Sequence, residues 1–133
     1  MRVVLDTTVI VAAFAARGLS AEVFEVCLAD HSIVLSEHIL SEEAEKLIDK
    51  ICLPQNIVQE IIDYPKEQAE IVNPEKIKES ICMDKDDIPI IGTALSGNTR
   101  FVITGDKDLL VLKKYKDKDI EIVTPRELWS RLK

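Results

Sequence analysis

The stretch Arg2-Val3-Val4-Leu5-Asp6-Thr7-Thr8-Val9 decides how this chain is read. Its first four residues, with β-branched Val3 and Val4 at the centre, are too short an apolar run for a helix and suit a strand buried on both faces. An aspartate follows at once, ahead of a helical stretch over 9–16 that ends near Gly18. The same order returns at Phe101-Val102-Ile103-Thr104, which runs into Gly105-Asp106-Lys107-Asp108. In an open α/β sheet the carboxyl ends of neighbouring parallel strands converge on one crevice, so aspartates far apart in sequence can meet there.

The rest of the chain supports such a sheet. Further strands are expected at 33–35, 69–72 and 120–123. Between them lie helical patterns: one capped by Ser20 and running to about Leu28, and one begun by Ser36 with Leu40, Ala44, Leu47, Ile48 and Ile51 at the 3.6 period. Pro54 breaks that helix, and the next carries Ile57, Val58, Ile61 and Ile62 until Pro65 closes it. Residues 73–85 read as a helical turn and loop. Asp87 caps a helix with Pro89 in its first turn that runs to Gly97, and a short helix covers 108–112. Thr124-Pro125-Arg126-Glu127 opens the last helix, where Leu128, Trp129 and Leu132 face the core. Alternating strands and helices predict an α/β fold: a five-stranded parallel sheet covered on both faces, in a single domain over 1–133.

Four acidic segments then stand out: Asp6; Glu42-Glu43 within a helix; Asp84 with Asp86-Asp87 before another; and Asp106 with Asp108. Each has a plain structural use as a cap or solvated helix charge. Together at one sheet edge they would repel one another unless a cation sat between them, and oxygen-only ligands favour Mg²⁺ or Mn²⁺ over zinc. His31 and His38 have no companions at zinc spacing, and the glycines form no phosphate loop. The set points to metal-dependent phosphodiester chemistry.

A net charge of −7 argues at first sight against a nucleic-acid partner. If Asp6, Glu42, Asp87, Asp106 and Asp108 line one pocket, the remaining surface is close to neutral, and Lys107, Lys113, Lys114, Lys116 and Lys118 provide a basic rim beside it. Cys27, Cys52 and Cys82 are odd in number, widely spaced and set in apolar patterns, as expected of buried thiols in a reducing compartment. With no leader-like start and no apolar run of membrane length, a cytoplasmic protein is expected.

Four segments, taken in order, resemble the motifs of PIN-domain ribonucleases, and among them the toxin components of toxin–antitoxin pairs. They are Val3-Val4-Leu5-Asp6-Thr7-Thr8-Val9, Leu35-Ser36-Glu37-His38-Ile39-Leu40-Ser41-Glu42, Asp84-Lys85-Asp86-Asp87-Ile88-Pro89 and Val102-Ile103-Thr104-Gly105-Asp106-Lys107-Asp108-Leu109-Leu110. The likeness extends to Ile122-Val123-Thr124-Pro125-Arg126-Glu127. It implies a three-layer fold and a Mg²⁺- or Mn²⁺-dependent endoribonuclease that leaves a 5′-phosphate and a 3′-hydroxyl. Asp6, Glu42, Asp87 and Asp106 would be metal ligands, Asp108 a further acidic group, Thr104 a hydroxyl at the pocket, and Asp84 and Asp86 outer candidates. Lys113 and Lys114 are the candidate RNA contacts on the basic rim. RNA as substrate, an antitoxin as partner and a homodimer follow from the same resemblance.

Two positions depart from the pattern. Thr8 stands where the family usually has Asn or Ser, and Glu43 where it usually has an apolar residue. Motif register selects Glu42, while helical phase against Leu40, Leu47 and Ile51 puts Glu43 nearer the apolar edge, so Glu43 is the alternate. Two other readings are a receiver-like Mg²⁺-binding signalling domain and a non-catalytic PIN scaffold. The receiver needs an acidic pair after the first strand and an aspartate after the third, where this chain has Asp6-Thr7-Thr8 and Asn73-Pro74.

Overall fold

The run that opens the chain becomes the middle of the sheet. In a computed structural model, which describes residues 1–15, 18–76, 88–112, 114–115 and 120–132, the elements are β1 (Arg2–Leu5), α1 (Thr7–Ala15), α2 (Leu19–Asp30), β2 (Ser32–Leu35), α3 (Glu37–Asp49), α4 (Gln55–Gln68), β3 (Glu70–Ile71), α5 (Ile88–Ser96), β4 (Phe101–Ile103), α6 (Lys107–Leu110), β5 (Lys114–Tyr115), β6 (Ile120–Val123) and α7 (Pro125–Leu132). Five strands run parallel in the order β3-β2-β1-β4-β6, as expected, and β5 adds a two-residue antiparallel edge beside β6. Two residues carry no periodicity, which is why β5 is invisible in the sequence.

Successive strand residues point to opposite faces, so the burial of Val3, Val4 and Leu5 together means that helices cover both sides of β1. α1 packs on α2 and α3, α3 on α4, α2 on α7, and α5 lies against β1, β2 and β4. Register aligns Leu5 with Ile103 and Ile103 with Val123, so the carboxyl ends of β1, β4 and β6 stand side by side.

Several local expectations change. Ser20 lies inside α2, whose first turn follows Gly18 without a side-chain cap. Pro65 does not close α4; it sits buried within the helix, which continues to Gln68 with Ala69 N–H bonding to the Pro65 carbonyl. A proline forfeits its own amide bond and crowds the carbonyl four residues back, and near a helix end burial of its ring counts against that cost. At the end of α5 the left-handed residue is Asn98, with φ of 50°, and Thr99 N–H returns to the Ala94 carbonyl. Gly97 is needed for a different reason. A Cβ there would meet Val34 Cγ1 at 2.5 Å, so glycine lets the turn close onto β2. Cys27 is buried, with its thiol pushed up to about 11 by that burial, but Cys52 is exposed and Cys82 lies outside the described residues. The expected turn and loop at 73–85 is described only as far as residue 76.

The core holds one residue that apolar packing does not explain. Glu43 lies on the inner stripe of α3 with Ile39, Leu40 and Leu47, is fully buried, and has no hydrogen-bond partner at either carboxylate oxygen among the described residues. Burial alone pushes its pKa from 4.5 to about 8, so the side chain is held largely neutral at pH 7. The folded state therefore binds a proton that the unfolded chain has released. The associated stability is full below pH 4.5 and is lost as pH rises through about 8. Glu43→Leu restores an apolar stripe and removes the cost of an unsatisfied buried polar group, about 1–3 kcal/mol. Urea unfolding should show the variant more stable than wild type by that order, with the larger gain at pH 8 than at pH 5. An equal or lower midpoint at both pH values would mean that the carboxyl is satisfied after all.

Candidate active site

The end of β1 places Asp6 beside β4. Its amide donates to the Ile103 carbonyl at 2.9 Å, continuing the parallel ladder, and its own carbonyl accepts from Val9 and Ile10 to begin α1. The main chain thus supplies the structural role expected of a turn aspartate. The side chain is left for something else: it is 3% exposed, and its Oδ2 accepts from Thr104 Oγ1 at 2.6 Å and Thr8 Oγ1 at 3.1 Å.

Those two hydroxyls extend the network across the strand ends. Thr104, fully buried and anchored through its amide to the Val123 carbonyl, accepts from Asp106 N–H at 2.9 Å on the same oxygen that donates to Asp6. Thr8 accepts from Gly105 N–H at 3.2 Å. Both threonines therefore tie the loop after β4 to the Asp6 carboxylate. Asp106 caps α6 by accepting from Asp108 N–H on Oδ1 at 2.9 Å, so the plain structural reading of this residue is fulfilled by one of its oxygens. Asp106 and Asp108 are half-buried on that loop, and Lys107 between them is exposed.

Electrostatically Asp6 is a carboxyl under tension. Burial raises its pKa; hydrogen bonds from Thr104, Thr8 and the Thr7 backbone oppose that, as does the charge of Lys46. A divalent cation would act in the same sense as those donors, which is how a buried oxygen ligand favours a hard ion.

The helix glutamates separate cleanly. Glu43 points into the core, whereas Glu42 is on the flank of α3, partly exposed, with Oε2 at 3.4 Å from His38 Nε2 one turn earlier. That contact lies within ion-pair reach without forming a hydrogen bond. His38 is half-buried. Ser36, at the end of β2, caps α3 through Ile39 N–H, and Thr7 Oγ1 donates to the Ile39 carbonyl at 3.2 Å, so this helix starts against the residue that follows Asp6.

Other expected positions fall elsewhere. Asp84, Asp86 and Asp87 lie outside the described residues, as do Lys113, Lys116 and Lys118. Lys114 pairs in register with Glu121, two residues short of the Val123 end where Thr104 is anchored, about 7 Å back along the strand at 3.3–3.4 Å per residue. Its backbone stands away from the Asp6 crevice. Among the described residues no three His, Cys, Asp or Glu side chains form a metal-holding group. No helix among them is long and apolar enough to cross a membrane. Two features that sequence reasoning passed over are Lys46, signalled only by its i+4 spacing from Glu42, and the Thr8–Gly105 link.

The fold has counterparts. A PIN-domain family model matches residues 2–108, which takes in β1, α3 and the loop after β4. VapBC2 from Rickettsia felis, whose crystal structure holds a DNA fragment from the promoter, contains a chain of similar fold with a TM-score of 0.64 and 15% identity, covering 92% of this chain and 98% of that one. VapBC-1 from nontypeable Haemophilus influenzae gives a TM-score of 0.65 and 19% identity, covering 95% and 99%. No curated protein sequence matches. With the family model spanning the strand ends, the helix glutamates and the Thr104-Gly105-Asp106 turn, the chain belongs to the PIN-domain family.

Proposed function

We propose that the protein is a metal-dependent endoribonuclease, the toxin of a toxin–antitoxin pair. The observation that carries the reading is the hydroxyl of Thr104, which joins the Asp6 carboxylate to the amide of Asp106 in a chain of the PIN family. The donor set suits Mg²⁺ or Mn²⁺: carboxylates only, one of them buried where a cation offsets poor solvation. Asp6 and Asp106 would hold the ion, with Glu42 and Asp87 completing the set and Asp108 adding negative charge beside it. When bound, the ion supplies charge stabilisation and Lewis acidity for in-line displacement at a phosphodiester.

The residues of the chain divide the work in this reading. Thr104 and Thr8 fix the Asp6 carboxylate through Oδ2, so its orientation does not depend on the ion. Asp108 is the candidate to take a proton from the attacking water, being half-buried at the rim with its amide already committed to Asp106. RNA is the substrate, an antitoxin the protein partner, a homodimer the assembly and the cytoplasm the compartment. Membership of the PIN family weighs against a receiver-like module. The non-catalytic scaffold differs from the proposal only in activity.

Purified protein should cut single-stranded RNA in Mg²⁺ or Mn²⁺ and stop in chelator. Asp6→Asn should lose at least about a thousand-fold in rate, a barrier increase of about 4 kcal/mol, with an unchanged far-UV circular dichroism spectrum. Cutting that persists undiminished in the variant or in chelator would overturn the site.

Thr104 allows a finer test, because valine keeps its shape and removes only the hydroxyl. Thr104→Val leaves the Asp106 amide unpaired and frees the Asp6 carboxylate to rotate, so kcat should fall about 10–100-fold, while Thr104→Ser retains most of it. Equal kinetics for the two variants would show that the hydroxyl does not position the site.

A further inference from the structure

His38 and Glu42 stand at i and i+4 on α3, so their side chains lie on one side of the helix. Nε2 of the histidine is 3.4 Å from Oε2 of the glutamate. Although 35% of the His38 side chain is exposed, Nε2 itself is buried and has no hydrogen-bond partner among the described residues. The ring is therefore turned so that this nitrogen is withdrawn from water and stands beside a carboxylate. Keeping a ring nitrogen dry is unfavourable unless an acceptor is at hand. Among the described residues Glu42 is the only carboxylate within ion-pair reach of it.

A histidine–glutamate pair at i and i+4 on an open helix surface is usually a weak, solvated contact. Two observations separate this pair from that case. Water does not reach Nε2, so it does not compete for the bond. The first turn of α3, which carries His38, is also held in place: Ser36 Oγ accepts from Ile39 N–H, and the Ile39 carbonyl accepts from the hydroxyl of Thr7, the residue after Asp6. With the helix fixed against the start of α1, the direction of the Glu42 carboxylate is set by its side-chain torsions, and a donor at Nε2 restricts them.

We propose that His38 is a positioning residue for Glu42: Nε2–H donates to Oε2 and holds the carboxylate in the direction from which it serves the divalent ion. The proposal rests on the reading of Glu42 as a metal ligand in a ribonuclease, and in it His38 touches neither ion nor RNA. The imidazole donates from Nε2 either as the neutral Nε2–H tautomer or as the cation, so the role needs no change of protonation. An approach of about 0.5 Å brings the two atoms to the length of a charge-assisted hydrogen bond. Carboxylates that bind metals are commonly fixed by such outer donors, whose loss lowers metal affinity by about 10–100-fold.

The experiment uses the full chain as wild type, His38→Gln and His38→Met, each with and without Glu42→Ala. Mn²⁺ is the probe, and in the absence of RNA its binding is read from the electron paramagnetic resonance signal of the unbound ion. A glutamine amide reaches the place of Nε2, whereas methionine fills similar space without a donor. His38→Met should bind Mn²⁺ about ten-fold more weakly, with His38→Gln within about three-fold of wild type. In the Glu42→Ala background His38→Met should cost nothing further, because its effect passes through the carboxylate. At saturating Mn²⁺, His38→Met should lower kcat with KM for RNA unchanged. Electron spin echo modulation of the bound ion should show no directly coordinated imidazole nitrogen; such a coupling, lost in His38→Gln, would make His38 a ligand and overturn the proposal. Should His38→Met lose its circular dichroism spectrum, His38→Asn, whose amide stops short of Glu42, takes its place. If Glu42→Ala weakens Mn²⁺ binding and His38→Met does not, the role given to His38 is wrong and the metal-site reading stands. Equal losses from His38→Met with and without Glu42→Ala, or from His38→Met and His38→Gln alike, assign the residue to structure and also overturn the proposal. If Glu42→Ala leaves Mn²⁺ affinity and cutting untouched while Asp6→Asn abolishes both, Glu42 is no ligand, and the proposal falls while the ribonuclease reading survives. If wild type neither binds Mn²⁺ nor cuts RNA, both readings fall.

Discussion

One hydroxyl holds the crevice together. Thr104 Oγ1 donates to Asp6 across the β1–β4 pair and accepts from Asp106 N–H in its own chain, and each bond fixes the direction of the other. A threonine can do both because its oxygen has one proton and two lone pairs; a serine could too, with more rotamer freedom to lose. The parallel register makes the arrangement possible, since alignment of Leu5 with Ile103 brings the next residues, Asp6 and Thr104, level at the sheet edge. The loop that carries Asp106 and Asp108 is then tethered twice, through Thr104 and through Thr8 to Gly105. The preorganisation of the proposed metal site therefore lies in the sheet, not in the ion.

Two buried carboxyls in the same molecule show how much such donors matter. Burial raises the pKa of both Asp6 and Glu43. Asp6 meets two hydroxyls, a backbone group and the charge of Lys46, all of which favour its ionised form. Glu43 has none of these and is held largely as the neutral acid. The first is suited to receive a cation, and the second only costs stability. Glu42 and Glu43, adjacent in sequence, also have unrelated surroundings, because a step of about 100° around α3 leaves one partly exposed beside His38 and carries the other into the core.

Much of the architecture was legible because it is written in long-range alternation. The five parallel strands, the Ser36 cap and the Thr124–Glu127 capping box each have a local cause that sequence exposes, and the last is seen in reciprocal bonds between Thr124 and Glu127. What was not legible depends on packing. Pro65 could continue α4 because its ring found a buried place, and Gly97 was needed for its closeness to Val34 and not as the helix terminator. For the site, the meeting of Asp6 with the 104–106 turn was foreseeable from strand ends, but the hydroxyl network that orients it was not, since a threonine after a strand is usually only a β-former. Motif register and helical phase gave opposite preferences for the helix glutamate because they measure different things. Phase identified Glu43, the residue that is buried, while register selects Glu42, which lies partly exposed on the flank of α3.

The most direct test of the account is a titration of isotopically labelled wild-type protein with Mn²⁺ at substoichiometric levels, read as paramagnetic broadening of backbone amide resonances. The account predicts one tight locus, with the amides of Asp6, Thr7, Thr104, Gly105 and Asp106 broadened first, Glu42 more strongly than Ile48 on the far side of α3, and the amino end of β6 unaffected. Broadening centred on exposed carboxylates such as Glu67 or Glu70, with the Asp6 and Thr104 amides untouched, would contradict it.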